Sequence, residues 1–589
     1  MTLRFLRLAV LAAVAAGALP SLAADEEPRP PRLPVVWEAP DALRVLYERH
    51  LPPPAEATQD RGAWRRWFRD VRARAPGIAA AEGWVSATVD IREEQDRTRV
   101  VLTPGSRAVV AGIDIQFRGD IAGEGEWRAQ RRESLRTGWQ LAAGQPFRQA
   151  AWDDAKARVL EALTSDDYAT GEIVASEARV DANAAQARLS ITLDSGPAFT
   201  LGEPVVTGIE RYPRHLVDRL LDIDPGEPYR SDRLLDVQRR LQSTPWFASV
   251  TVDIDRDRAH PGRAPVRIAV TERPRADVGL AAGYGTDAGP RGEVSLRYRN
   301  ALGRGYDMQS ALQAERTRQI GYADFYLPPR GPGESVLGGQ PARDSVGVLG
   351  ERTANQGLET RRGAVAARRL VPLGPLEFGA GLGFQVEQSL PDGADPRVSR
   401  ALTPNAHVTW RTVDDVLNPR RGGVLTVEAT GAARSVLSDQ TFLRGRAQYQ
   451  HWFSLTQSSQ LIFRAEAGVV WAASREGIPE DFLFRAGGTR SVRGYAYQSL
   501  GVREGDAIVG GRYLATGTVE YVRWLSGDWG AALFWDAGDA ADRRADLTLN
   551  QGYGVGARWR TAAGPIAADL GWSERDRKAR LSLSVSVAF

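Results

Sequence analysis

The stretch from Phe484 to Tyr495 reads FRAGGTRSVRGY and packs three glycines and three arginines into twelve residues. Two chemistries suit it. A glycine-rich backbone can cradle a phosphate with its N–H groups. Alternatively, a tight loop can carry an arginine to carboxylates inside a larger structure. Other reactive residue types lead nowhere. The five histidines, His50, His215, His260, His407 and His451, are scattered and none has the spacing of a metal pair. The chain has no cysteine, which excludes thiolate catalysis, thiolate metal sites and disulfides. Asp166–Asp167 and Asp414–Asp415 read as turn or cap residues. The GYGVG run (Gly552 to Gly556) lies in strand-type alternation and opens no helix, so it is no dinucleotide loop. No phosphate-loop or nucleophile-elbow pattern occurs. We therefore expect no enzyme, no catalytic residue, no metal and no cofactor. The formal charge of +3 gives no reason to expect nucleic acid as a partner.

What positions the arginine loop has to be read from the elements around it. The chain opens with Arg4 and Arg7, then an apolar run from Leu8 to Leu19, then small residues at Ser21 and Ala23. This is the build of a secretory signal peptide over 1–23, too short to span a bilayer. A stiff proline-rich lead over 24–33 follows.

Residues 34 to 273 mix helices and strands. Helical spacing runs through Trp64–Ala75, Trp127–Gly138, Trp152–Leu163, His215–Ile223 and Asp232–Gln242. Asp232 stands early in its helix, where a carboxylate suits the positive dipole end. Alternating segments after the helices echo one another: GWVSATVDI (Gly83 to Ile91), GEIVASEARVD (Gly171 to Asp181) and PWFASVTVDI (Pro245 to Ile254). VVAGIDIQFRG (Val109 to Gly119) and FTLGEPVVTG (Phe199 to Gly208) rhyme as opening strands. A repeat of about eighty residues predicts three tandem β-α-α-β-β units, over 34–105, 106–196 and 197–273.

From about Arg275 helical spacing disappears. In LEFGAGLGFQVEQ, Leu376, Phe378, Ala380, Leu382, Phe384 and Val386 share one face. Glu377, Gln385, Glu387 and three glycines share the other. Bulk is missing from the polar face, where a soluble core would need it. The apolar face therefore reads as the outside of a membrane sheet, which must close because lipid cannot satisfy an open edge. Aromatics gather at strand ends (Tyr284, Tyr298, Trp410, Trp452, Trp471, Trp524, Trp535, Trp559, Trp572) and read as an interfacial girdle. Residues 274–589 have room for about sixteen antiparallel strands at ~10 residues each plus connections. The predicted fold is three tandem α+β units followed by an all-β transmembrane barrel.

Several segments together resemble the BamA/TamA superfamily of outer-membrane assembly proteins. They are FRAGGTRSVRGY, DDVLNPRRGG (Asp414 to Gly423), TVEYVR (Thr518 to Arg523), FWDAGD (Phe534 to Asp539), GYGVGARWRTAAGPIAADLGW (Gly552 to Trp572) and a terminal Phe589. Three N-terminal units, together with GLAAGYGTDAGPR (Gly279 to Arg291) and Ile478 to Leu500, are most similar to the TamA branch, the outer-membrane subunit of a translocation and assembly module. The resemblance implies that the units are polypeptide-transport-associated (POTRA) domains in the periplasm and that the barrel lies in the outer membrane. It implies that the loop motif (Phe484, Gly487, Gly488, Val492, Arg493, Gly494, Tyr495) folds back into the lumen. Alternation turns Asp536 and Glu520 inward, so we expect Arg493 to pair with Asp536, with Glu520 as second acceptor. The barrel would close between a small-residue first strand, with Gly279 and Gly283, and a last strand, with Leu581, Leu583, Val585, Val587 and Phe589. A weak junction there could template an incoming strand. The implied partners are the bilayer, unfolded outer-membrane protein clients such as autotransporters, and an inner-membrane-anchored TamB-like protein docked on the first unit. The competing expectation is a two-partner-type secretion channel exporting a polypeptide through the lumen.

Overall fold

The computed structural model describes residues 35–54, 61–94, 97–285, 289–329, 331, 342–561 and 566–585. The signal-peptide and lead readings lie outside these residues. The chain divides into two compact units, Met1–Phe199 and Thr200–Phe589. Among the described residues no helix is long and apolar enough to cross a membrane, which says nothing of strands.

The first unit holds two three-stranded sheets. In one, Val35–Glu38 runs parallel to Thr98–Thr103, which pairs antiparallel with Thr88–Glu93. In the other, Val109–Arg118 runs parallel to Gln186–Asp194, which pairs antiparallel with Glu172–Asp181. In each, two main helices close over one sheet face, Asp41–His50 with Arg61–Ala81, and Glu126–Thr137 with Gln149–Thr164. Their apolar residues build separate cores, one around Leu43, Tyr47, Val71 and Val100, the other around Leu135, Trp152, Leu163 and Ile191. Burial pushes the Tyr47 hydroxyl up to about 12. Asp120 accepts from Arg128 Nη2 at 2.8 Å and from the Tyr168 hydroxyl at 3.1 Å. The Arg128 guanidinium holds the Asp120 carboxyl below the usual carboxylate range, against the opposing effect of its partial burial.

The second unit begins with a third sheet of the same order, Leu201–Thr207 parallel to Ala264–Glu272 and that strand antiparallel to Phe247–Ile254. Ser231–Gln242 buries Leu234, Val237 and Leu241 against it. The helix expected over His215–Ile223 is confined to His215–Asp218. Beyond it the chain is held by Arg233, which donates to the Asp222 carbonyl at 2.7 Å and to its carboxylate at 3.0 Å. Trp246 joins this module to the sheet that follows. Its indole N–H lies 3.1 Å from the carbonyls of both Arg299 and Gly305.

The rest is a sixteen-stranded antiparallel β-barrel sheet in sequence order, from Ala276–Gly285 to Lys578–Val585. The apolar face is outermost. Leu382, Val386, Leu533 and Trp535 are exposed, while Gln385, Glu387, Phe534 and Asp536 are buried. Two residues of the expected girdle face the other way. Trp452 and Trp524 are buried on the lumenal face, Trp524 with the Arg560 guanidinium 3.6 Å above its ring. Their parity explains it, since neighbours Phe453 and Leu525 take the outward positions. Trp535 is outward but stands mid-strand in Trp529–Ala541. The side chain of Tyr284 is not described.

Candidate functional site

The longest connection on the side of the barrel away from the third module runs from strand Ser459–Ala472 to strand Tyr513–Ser526. It folds into the lumen for reasons legible in its residues. Gly487, Gly488 and Gly494 take φ values of 101°, 99° and 90°, in the left-handed region that other residues avoid. The Gly487 N–H bonds to Ser491 Oγ at 2.7 Å, closing the turn. Bridges pair Phe484 with Gly511 and Ala486 with Leu500, and a small ladder joins Val502–Glu504 to Ala507–Val509. Phe484, Val492, Tyr495 and Leu500 then bury themselves against Phe442, Val470, Leu514 and Ala540 of the wall. Gly468 leaves room for Phe484, whose ring lies 2.5 Å from where a Cβ would stand.

Arg493 is 3% exposed and forks onto Asp536, with Nε to Oδ2 at 2.7 Å and Nη2 to Oδ1 at 2.9 Å. Its backbone N–H also donates to Asp536, at 2.9 Å. Nη1 donates to Glu520 at 2.7 Å and to Asp569 at 3.2 Å. The guanidinium carbon sits 3.5 Å over the Phe534 ring. Sequence reasoning brought Arg493, Asp536 and Glu520 together but missed half of the cluster. Arg558 donates to Glu520 at 2.7 Å and to Asp569 at 2.6 Å, and Arg464 lies 3.5 Å from Glu520. Three arginines thus meet three carboxylates, so the charges balance where water is largely excluded. A buried charge is tolerated when paired and hydrogen-bonded in this way. The signal that would have found Asp569 and Arg558 is their inward parity, combined with the register that sets Gly556 opposite Asp569.

Glycines of the wall admit the loop tip. A Cβ on Gly552 would stand 2.1 Å from the Arg493 carbonyl oxygen, and one on Gly571 would stand 2.8 Å from the Gly494 nitrogen. Neither glycine was singled out for this role in the sequence, because close approach from a distant segment leaves no local pattern. Arg580, on the last strand, donates to the Gly494 carbonyl at 2.6 Å. The Tyr495 hydroxyl accepts from the Arg575 N–H at 3.2 Å. The outer arm of the loop is held by a second ionic set, with Arg475 on Glu504 at 2.6 Å and Arg397 also on Glu504.

The two ends of the sheet complete the site. Gly279 pairs with Ser295 and Gly283 with Arg291 on the first strand. Leu581 and Leu583 are exposed on the last. Val585 pairs through its backbone with Ile566, and its side chain is not described. Val587 and Phe589 lie outside the described residues. Among the described residues, each end strand has a ladder partner on one side only.

Comparison with known proteins follows this architecture. Residues 300–589 match the Omp85 superfamily domain. The chain is 24% identical over 385 residues to the outer membrane protein assembly factor BamA of Nitratidesulfovibrio vulgaris, covering 62% of this chain and 47% of that protein. It is 23% identical over 440 residues to BamA of Neisseria meningitidis serogroup B, covering 70% of this chain and 54% of that protein. The chain thus spans about half the length of the curated relatives it matches. The crystal structure of Haemophilus ducreyi BamA lacking POTRA domains 1–3 superposes with a TM-score of 0.69 at 12% identity, over 81% of this chain and 99% of that one. That likeness extends to the fold. The protein is an outer-membrane β-barrel with periplasmic POTRA units, and the greater part of that barrel carries the match to the Omp85 superfamily domain.

Proposed function

We propose that the protein is a TamA-type assembly factor that promotes insertion or translocation of autotransporters and other β-barrel clients. The work would be done at the seam between Ala276–Gly285 and Lys578–Val585. One observation carries this reading: the buried loop tip is bonded at once to the fixed wall, through Arg493 and Asp536, and to the last strand, through Arg580 and the Gly494 carbonyl. A loop so placed holds the end of the sheet in register while leaving its outer edge free to pair. An edge strand is a template for another strand, and main-chain pairing needs no bond chemistry or nucleotide. The first module would dock an inner-membrane-anchored TamB-like partner, in keeping with the exposed edge of its short three-stranded sheet.

The test is reconstitution of the full chain in liposomes with an unfolded autotransporter barrel. Insertion should accelerate, and cysteines engineered to cross-link Gly279 to the last strand should abolish the acceleration. Acceleration that survives cross-linking would remove the seam from the mechanism. Export of polypeptide without insertion would replace the reading by a secretion channel.

A further inference from the structure

Below the loop tip the lumen encloses a cavity of about 440 Å³ lined by six arginines and three carboxylates. Three of the arginines, Arg464, Arg493 and Arg558, are balanced by the Asp536, Glu520 and Asp569 cluster. The lining carboxylate Glu466 is engaged by Arg446 at 2.8 Å. That leaves Arg420, Arg490 and Arg560, none of which makes an ion pair among the described residues. Arg420 donates to backbone carbonyls of Thr456 and Gln457, and it shares a neighbouring pocket with Arg560, Asp414, Asp415 and Asp528, none of these carboxylates within ion-pair distance of either arginine. Arg560 lies over Trp524, and Arg490 is exposed to the lumen.

Unmet donors point the same way. Arg464 Nε, Arg560 Nη2 and the Trp524 indole N–H are buried without a partner, and all three residues line this cavity. Trp524 is 9% exposed. Buried donors are satisfied in almost all native structures, so a cluster of unmet ones calls for an acceptor. The lining also includes Gln448, Gln450, Gln460, Thr426 and Thr516, whose amides and hydroxyls both donate and accept. Those groups match a peptide backbone, which presents N–H and C=O together, better than a bare anion. The position fits entry from the periplasm. Arg560 follows strand Asn550–Trp559, Trp524 is near the end of its strand, and Arg420 lies in the connection after Arg397–Arg411. These lie at the same end of the barrel as the Asn300–Gly305 turn that the third module grips through Trp246.

We infer that this cavity binds an extended peptide segment bearing carboxylates, with Arg420, Arg490 and Arg560 as its anion-binding side. The inference rests on the assembly reading only for the source of such a segment, since binding at equilibrium requires no insertion. The test uses the full chain in nanodiscs and a fluorescein-labelled Ser/Gln decapeptide carrying four aspartates, read by anisotropy. Its counterpart has every aspartate replaced by asparagine. The aspartate peptide should bind about tenfold tighter, with affinity falling as salt rises. Arg560→Gln and Arg490→Gln should each weaken it several-fold. Arg490→Gln keeps the test sound if Arg560→Gln disturbs folding, because Arg490 is exposed and makes no ion pair. Equal affinity for the two peptides, or no change in either variant, would overturn the inference. So would full displacement by inorganic phosphate at matched ionic strength, which would leave a simple anion well. Binding that persists in a chain inactive for insertion would sustain this site while removing the assembly reading.

Discussion

The third module and the barrel that follows it are built from the same kind of strand and solve burial in opposite directions. In the module, alternation sends Val266, Ile268 and Val270 into a core shared with helix residues Leu234, Val237 and Leu241. In the barrel, alternation sends Leu533 and Trp535 outward and buries Phe534 and Asp536. The module is held by non-directional hydrophobic burial. The lumen is held by charge-assisted hydrogen bonds, which act only at correct distance and angle. The difference shows that a period of two states which residues share a face, while the solvent on each side decides which face is the interior. It also makes the lumenal cluster more sensitive to shape than the module core.

The comparison is broken most severely at Asp536. Asp536→Ala would strip Arg493 of its forked acceptor and leave charge unbalanced at a fully buried position, costing on the order of 3–5 kcal/mol. The folded barrel's resistance to heat on unboiled gels should drop, and the loop tip should become accessible to protease. A barrel as resistant as wild type would show that the ionic cluster is dispensable. In the module, Ile268→Ala should cost about 2–5 kcal/mol through the lost transfer energy and the cavity left behind. Its effect should be confined to the third module, seen as faster hydrogen exchange over Ser231–Gln242 with the barrel's heat resistance retained. Equal loss in both regions would merge what we treat as separate cores.

Gly571→Ala tests shape alone. The added methyl would press on the Gly494 nitrogen and should cost roughly 1–3 kcal/mol, with the loop displaced from the wall. Gly363→Ala, at a position with open space around it, is the control and should leave loop protection unchanged. The smallest effect is expected at Asp120. Its carboxyl is held below its unfolded value, so its contribution is complete above the ordinary aspartate range and is lost as pH falls through the folded value. The difference in melting temperature between wild type and Asp120→Asn should therefore be full at neutral pH and close in strong acid. A difference that grew on acidification would contradict the Arg128 pairing.

Several features were determined locally and could be read from the chain alone. Strand parity turned Asp536 and Glu520 inward, because alternation is a property of the pleat itself. Helical spacing marked Trp64–Ala75 and Asp232–Gln242, and several segments together resembled the superfamily whose domain residues 300–589 match. Other features depended on what tertiary structure brought alongside. The His215 helix ended at Asp218, and the segment after it is fixed by Arg233, eleven residues beyond Asp222. Trp452 and Trp524 turned into the lumen because their neighbours occupy the lipid-facing positions, so a count of strand-end aromatics could not separate girdle from lining. Asp569 and Arg558 entered the Arg493 cluster only through sheet register, which sets the height of each side chain relative to residues far away in sequence. Gly552 and Gly571 acquired their roles from a loop that approaches from about sixty to eighty residues upstream. The sequence by itself determined which faces the residues share. Only the folded sheet decided which of those residues meet, because distances across strands depend on register and closure.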